Sequence, residues 1–103
     1  MGVSLAISFD NETENPTDNE VLNAIQKVYA EKIDAVILLS DVENNQFMQM
    51  PSGGFHVEYC VGSEGSIYSA EDVPILMANR MFLAYVKGED SWKTAVIWKL
   101  ELD

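Results

Sequence analysis

Residues 46–69 consist of short strand-forming segments separated by short turns. Phe55, Val57 and Tyr59 face one side of an extended chain and His56 and Glu58 face the other, because side chains alternate across a strand. Turn-forming residues occupy positions 51–54 and 62–65, and residues 46–50 and 66–69 form shorter strands beyond them. Short turns between successive strands predict antiparallel neighbours, so a mostly antiparallel sheet is the expected framework.

Two further strands are predicted nearer the N-terminus, with a helix between them. Residues 3–9 alternate apolar and polar side chains, and the continuously apolar residues 35–39 predict a central strand buried on both faces. Thr17 and Glu20 form a capping box that starts an amphipathic helix extending to about Lys32. Residues 10–20, rich in acids and Asn, predict a loop leading into this helix.

The last third of the chain predicts a second helix and a final strand. Asp72 is a suitable N-cap, and Gly88 suits the left-handed position that follows a helix ending near Val86. Apolar residues surround this helix almost completely, which favours deep packing against the first helix. Residues 94–102 alternate, which predicts a strand that buries Trp98 against the helices.

Together these elements predict one α+β domain over residues 1–103, in the order β-α-β-β-β-(β)-α-β. Two helices cover one face of a mostly antiparallel sheet of five or six strands. The other face is polar enough to contact water, with Ser4, Ser8, His56, Glu58, Cys60, Lys93, Lys99 and Glu101 on it.

The net charge restricts the classes of partner. Seventeen acidic residues against six Lys and Arg give a formal charge of -11. This charge argues against nucleic acid or an anionic membrane as partner, because both would repel the protein, and it permits a basic partner. We expect a cytoplasmic protein, since the sequence shows no secretory signal, no membrane-spanning apolar run and a single cysteine.

His56, Glu58 and Cys60 are the only grouping of catalytic residue types, and they share one face of a strand. His56 and Cys60 are expected about 13 Å apart from the rise per residue, which is too far for a base to activate a thiol. Glu58 is not expected to contact either residue unless the strand bends. A zinc site would need carboxylate ligands at unusual spacing, because the chain has one His and one Cys. We therefore expect no enzyme, metal or cofactor.

The chain resembles the first-numbered immunity-protein family of bacterial polymorphic and contact-dependent toxin systems. The similarity extends from about Asn15 to Leu100 and consists mainly of core and turn positions. These are Asn15-Pro16, residues 36–39, residues 47–59, Tyr68, Val73, residues 82–88 and Ile97-Trp98. The resemblance implies a cytoplasmic antitoxin that binds a cognate toxin domain, often a nuclease or a nucleic-acid deaminase. It implies no shared catalytic residues and no contact residues that transfer by position.

The leading hypothesis is therefore an inhibitor whose carboxylates replace substrate phosphates in a basic cleft. The candidate partner-binding residues are Asp10, Glu12, Glu14, Asp18, Asp41, Glu43, Glu89, Asp90 and Trp92. Edge packing is an alternative role for Trp92. Other hypotheses are a phage-type DNA mimic, a structural homodimer built on the Met-rich second helix, and an enzyme that uses His56, Glu58 or Cys60.

Overall fold

The computed structural model describes residues 3–7, 11–41, 46–60 and 66–101. Seven antiparallel strands form one sheet in the order β2-β1-β3-β4-β5-β6-β7. The strands are β1 (Ser4–Ile7), β2 (Asn11–Glu14), β3 (Ala35–Asp41), β4 (Gln46–Pro51), β5 (Phe55–Cys60), β6 (Ile67–Val73) and β7 (Lys99–Glu101). The helices are α1 (Asp18–Tyr29), α2 (Ile75–Val86) and the single turn α3 (Trp92–Ala95). The predicted α+β class is confirmed, with seven strands where five or six were expected.

The main core lies between one face of the sheet and helices α1 and α2. Ile25 of α1 and Phe82 of α2 are fully buried against Leu38 of β3 and Met48 of β4. β3 is buried on both faces, as predicted, because Ile37 points away from the helices into a smaller apolar cluster. The deep packing predicted for α2 is confirmed: its buried residues are Ala78, Met81, Phe82, Ala84 and Tyr85.

The helix boundaries agree with the sequence in part. The capping box at Thr17 is present, with the backbone N–H of Glu20 donating to Thr17 Oγ1 at 3.2 Å and that of Thr17 donating to Glu20 Oε1 at 2.9 Å. α1 ends at Tyr29, earlier than the predicted Lys32, because Glu31 adopts a left-handed φ of 60°. α2 begins after Pro74, so the prediction of Asp72 as N-cap was wrong.

Residues 11–14 form the edge strand β2 and not the predicted loop. An edge strand needs backbone pairing on one side only, so Asn11–Glu14 can pair with β1 without any apolar alternation. The strand predicted over residues 94–102 was also too long. Trp92–Ala95 form a helical turn that buries Trp92, and only Lys99–Glu101 pair with β6.

The sheet face away from the helices is divided into an apolar half and a polar half. Ala6, Ala35 and Ile37 form a small apolar cluster together with Leu39 and Phe47, on strands β1, β3 and β4. The polar half lies on β4 to β7, where the cross-strand register aligns Gln49, Glu58, Ser69 and Lys99. The prediction of a face polar enough to contact water was therefore correct only for this half, and Lys93, assigned to that face, lies on α3. Among the described residues, no helix has the length and apolar character needed to cross a membrane.

Candidate functional site

One end of the sheet collects five of the acidic residues selected from the sequence. This end contains the starts of β1 and α1 and the ends of β2, β3, β5 and α2. We call the five residues the acidic rim; they are Glu14, Asp18, Asp41, Glu89 and Asp90. Residues far apart in the chain thus meet at a single edge of the molecule.

Strand pairing and one ion pair place the first three members of the rim. Glu14 lies opposite Ser4 in the register, and the backbone of Asp41 pairs with Gln46 at the end of β3. Asp18 is the first residue of α1, and its Oδ2 lies 3.8 Å from Nζ of Lys87. This ion pair connects the start of α1 to the end of α2.

A helix-ending motif positions the other two members. Gly88 has φ of 77°; its N–H donates to the Tyr85 carbonyl at 3.2 Å, and the N–H of Glu89 donates to the Ala84 carbonyl at 2.9 Å. These two bonds define a Schellman motif, which needs a left-handed residue and therefore favours glycine. The predicted role of Gly88 is confirmed. Glu89 and Asp90 consequently leave α2 in a fixed direction, with both side chains exposed.

The rim borders a cavity of about 670 Å³. Tyr59, Tyr85 and Trp92 are among its lining residues, and Glu89 and Asp90 line it at the rim. The rings of Trp92 and Tyr59 meet edge to face with centroids 4.9 Å apart, and Trp92 is only 7% exposed. Trp92 therefore serves mainly as a packing residue beneath the cavity and offers little surface to a partner.

The remaining candidates lie elsewhere. Glu12 is exposed and pairs with Ala6 on the face of the sheet away from the helices. Asp10 and Glu43 lie outside the described residues. The structure thus brings together five of the eight acidic candidates at one end.

His56 is in contact with two carboxylates, although the sequence analysis expected Glu58 to be out of reach. His56 Nε2 lies 3.2 Å from Oε2 of Glu58, and Nδ1 lies 2.5 Å from Oε1 of Glu71. A β-bulge in β6 explains the contact with Glu71: Phe55 pairs with Val73 and Val57 with Ala70, so His56 faces the two residues Glu71 and Asp72. Glu58 lies two residues after His56 on the same face of β5, and its long side chain reaches the ring directly.

The two carboxylates also change the acidity of His56. Partial burial opposes protonation of the ring, but hydrogen bonding and attraction from Glu58 and Glu71 outweigh it and raise the pKa of His56 above its ordinary value. Glu58 is held in turn by Gln49, whose Nε2 donates to Oε1 at 2.6 Å. The sequence could have identified Gln49, because it lies on the strand before Pro51 that is predicted to pair with β5. It could not have identified Glu71, because the contact of Glu71 with His56 depends on the β-bulge.

Cys60 is not arranged as a nucleophile. Its side chain is 3% exposed, and burial raises the pKa of its thiol. The described contacts of His56 are with Glu58 and Glu71 and do not include Cys60. These observations agree with the expectation that His56 does not activate the thiol.

Comparisons with known proteins give no relative from which a role could be inferred. No family model matches the chain, and no curated protein or solved structure is significantly similar to it. The resemblance to the immunity family therefore stays a prediction from the residues quoted above.

Proposed function

We propose that this protein is a cytoplasmic immunity protein that binds a basic toxin domain, such as a nuclease or deaminase, and occludes its substrate cleft. The observation that carries the proposal is the acidic rim, which gathers five acidic residues at one end of the sheet, two of which, Glu89 and Asp90, line the cavity there. A substrate cleft for nucleic acid is lined by cations that bind phosphates, and the rim presents carboxylates to the same cations. The family resemblance of the sequence is a second, separate support.

The ion pairs that the rim residues form within the protein can be replaced by ion pairs with a partner at a small cost in free energy. Asp18 is paired with Lys87 and Asp90 with Lys93, at 3.8 Å and 3.4 Å, and all four side chains are more than half exposed. Exposed pairs of this kind contribute roughly 0–1 kcal/mol, so arginines of a partner can displace these lysines. The Schellman motif already orders the backbone of Glu89, which reduces the entropy lost on binding.

Co-expression with the toxin domain encoded beside this gene tests the proposal. The expected result is loss of toxicity and a complex that forms at micromolar concentration or below, with an association rate that falls as salt is added. A variant with the toxin's catalytic residue removed allows binding to be measured apart from killing. Unchanged killing with no detectable complex would contradict the proposal.

A further inference from the structure

We infer that the polar half of the open sheet face is a binding site for a divalent transition metal of the zinc type, with His56, Glu58 and Glu101 as ligands. One ring nitrogen of His56 and one carboxylate oxygen from each glutamate all lie within 4.8 Å of one another. The ligands come from β5 and β7, on either side of β6. This inference is independent of toxin binding, because the site is on the sheet face and not at the acidic rim.

The donor set matches the chemistry of zinc. Zinc binds imidazole nitrogen and carboxylate oxygen at about 2.0–2.2 Å, and a tetrahedral site therefore separates two ligand atoms by about 3.3 Å. His56 Nε2 and Glu58 Oε2 are already 3.2 Å apart. A metal ion would replace the proton between these atoms without moving β5, and the carboxylate of Glu101 already lies within 4.8 Å of the other ligand atoms.

Each ligand also has a hydrogen-bonding partner that orients it. Glu71 holds Nδ1 of His56, which leaves Nε2 directed toward the metal position. Gln49 donates to Oε1 of Glu58, and Ser69 Oγ donates to Oε1 of Glu101 at 2.5 Å. Partners of this kind fix the ring tautomer and the carboxylate orientation in metal sites, and their loss commonly weakens affinity by about 10–100-fold.

The charge balance of the cluster favours a cation. Glu58, Glu71 and Glu101 surround a single imidazole, and none of the six Lys and Arg residues, all of which are described, forms a salt bridge with these three carboxylates. A divalent ion bound between them would offset that excess negative charge. The sequence predicted no metal site, because zinc would need carboxylate ligands at unusual spacing; the fold supplies such a ligand in Glu101, 43 positions after Glu58.

Three protein ligands leave a fourth tetrahedral position for water, as in open zinc sites. Binding would also join the three-residue strand β7, whose residues are all exposed, to the centre of the sheet. A metal ion that binds the folded chain and not the unfolded chain raises the thermal stability of the protein. Two separate readouts therefore follow, one at the imidazole and one in the melting temperature.

The test uses the full chain after treatment with a chelator, titrated with Zn²⁺ by calorimetry and by NMR. We expect one Zn²⁺ per chain and a higher melting temperature. His56 is the only histidine, so its Nε2 resonance reports coordination without assignment ambiguity. Glu101→Gln should weaken binding at least about tenfold, and Ser69→Ala about 10–100-fold.

Glu12→Gln is the matched control, because Glu12 is also an exposed glutamate on the same face and on the opposite edge strand. Equal losses of Zn²⁺ affinity for Glu12→Gln and Glu101→Gln would overturn the inference. They would indicate that Zn²⁺ is attracted diffusely to a protein of charge -11. An imidazole Nε2 signal unchanged by Zn²⁺, or competition by Mg²⁺ at equal concentration, would also overturn it. Circular dichroism confirms that each variant is folded before titration.

Discussion

A methyl group placed on Gly54 would lie 2.6 Å from Cδ2 of the Tyr29 ring. The turn before β5 therefore packs its glycine directly against the last residue of α1. Tyr29 is fixed on its other side, because its hydroxyl donates to the Val73 carbonyl at 2.6 Å and its ring meets Phe55 edge to face at 5.0 Å. This contact joins α1, the β4–β5 turn and the end of β6.

Gly54→Ala should destabilise the protein more than Gly53→Ala. Both glycines have positive φ, 70° and 94°, so alanine costs about 1–2 kcal/mol at either position. Only Gly54 faces a neighbour within 4 Å, and the overpacking against Tyr29 adds about 1–3 kcal/mol. Urea unfolding of the two variants checks the difference. Equal midpoints would show that Tyr29 does not restrict this position.

Trp92→Ala should lower the free energy of unfolding by about 3–5 kcal/mol, the usual loss for a large buried aromatic residue. Trp92 contacts Tyr59, Tyr85 and Trp98, with centroids 4.9, 5.5 and 6.1 Å away. Trp98→Ala should cost less, because Trp98 is only partly buried and its Nε1 is buried without a hydrogen-bond partner in the described residues. Thermal melting of both variants gives the order, and a larger loss at Trp98 would contradict this packing.

Because of Tyr85, the free energy of unfolding should fall as the pH rises above about 10. Burial raises the pKa of Tyr85 above its ordinary value of 10.0, although a hydrogen bond with Ser40 partly opposes this effect. The native phenol thus keeps its proton where the unfolded chain has lost it, so the free energy of unfolding decreases as pH rises through that interval. Urea midpoints measured against pH should fall less steeply in Tyr85→Phe than in the parent. Identical slopes would assign the alkaline loss to other groups.

The thiol of Cys60 should react slowly with a disulfide reagent. It is buried and has a raised pKa, so reaction requires a local opening of the chain. We expect the native rate to be at least about a hundredfold below the rate in denaturant, equivalent to an opening free energy of about 3 kcal/mol. If the proposed function is correct, Cys60→Ala should still inhibit the toxin domain. Fast labelling of the native protein would revive the hypothesis of a nucleophilic enzyme.

Neutralising the rim should weaken the proposed toxin complex. Glu89→Gln with Asp90→Asn should cost about 2 kcal/mol or more if these charges are desolvated at the centre of the interface. The matched control is Glu31→Gln with Asp72→Asn, which removes the same charge from exposed residues at the opposite end of the sheet. That control should mainly reduce the association rate at low salt. Equal increases in the dissociation rate for the two pairs of substitutions would exclude the rim as the contact surface.

The sequence alone determined the elements whose signals are local. The capping box of Thr17 and Glu20, the glycine stop at Gly88 and the strand β5 each depend on neighbouring residues, and all three are present. The burial of β5 alternates only in part, because Phe55 is exposed and Cys60 is buried. Short turns between strands also predicted the antiparallel sheet, and a continuously apolar run predicted the buried central strand β3. Side-chain periodicity failed to predict β2, because backbone pairing is enough to form an edge strand and apolar alternation is not needed.

Only the tertiary structure decided the two sites, because both depend on residues that are distant in sequence. The acidic rim exists because antiparallel pairing returns β1, β2 and β3 to one end of the sheet, where α1 begins and α2 stops. The contact between His56 and Glu71 depends on a β-bulge, which adds one residue and has no fixed signature in sequence. Glu101 joins that cluster because a helical turn at Trp92 shortens the last strand and sets its register. Local sequence propensities do not determine these contacts between distant residues, because the contacts depend on the twist and the strand pairing of the whole sheet.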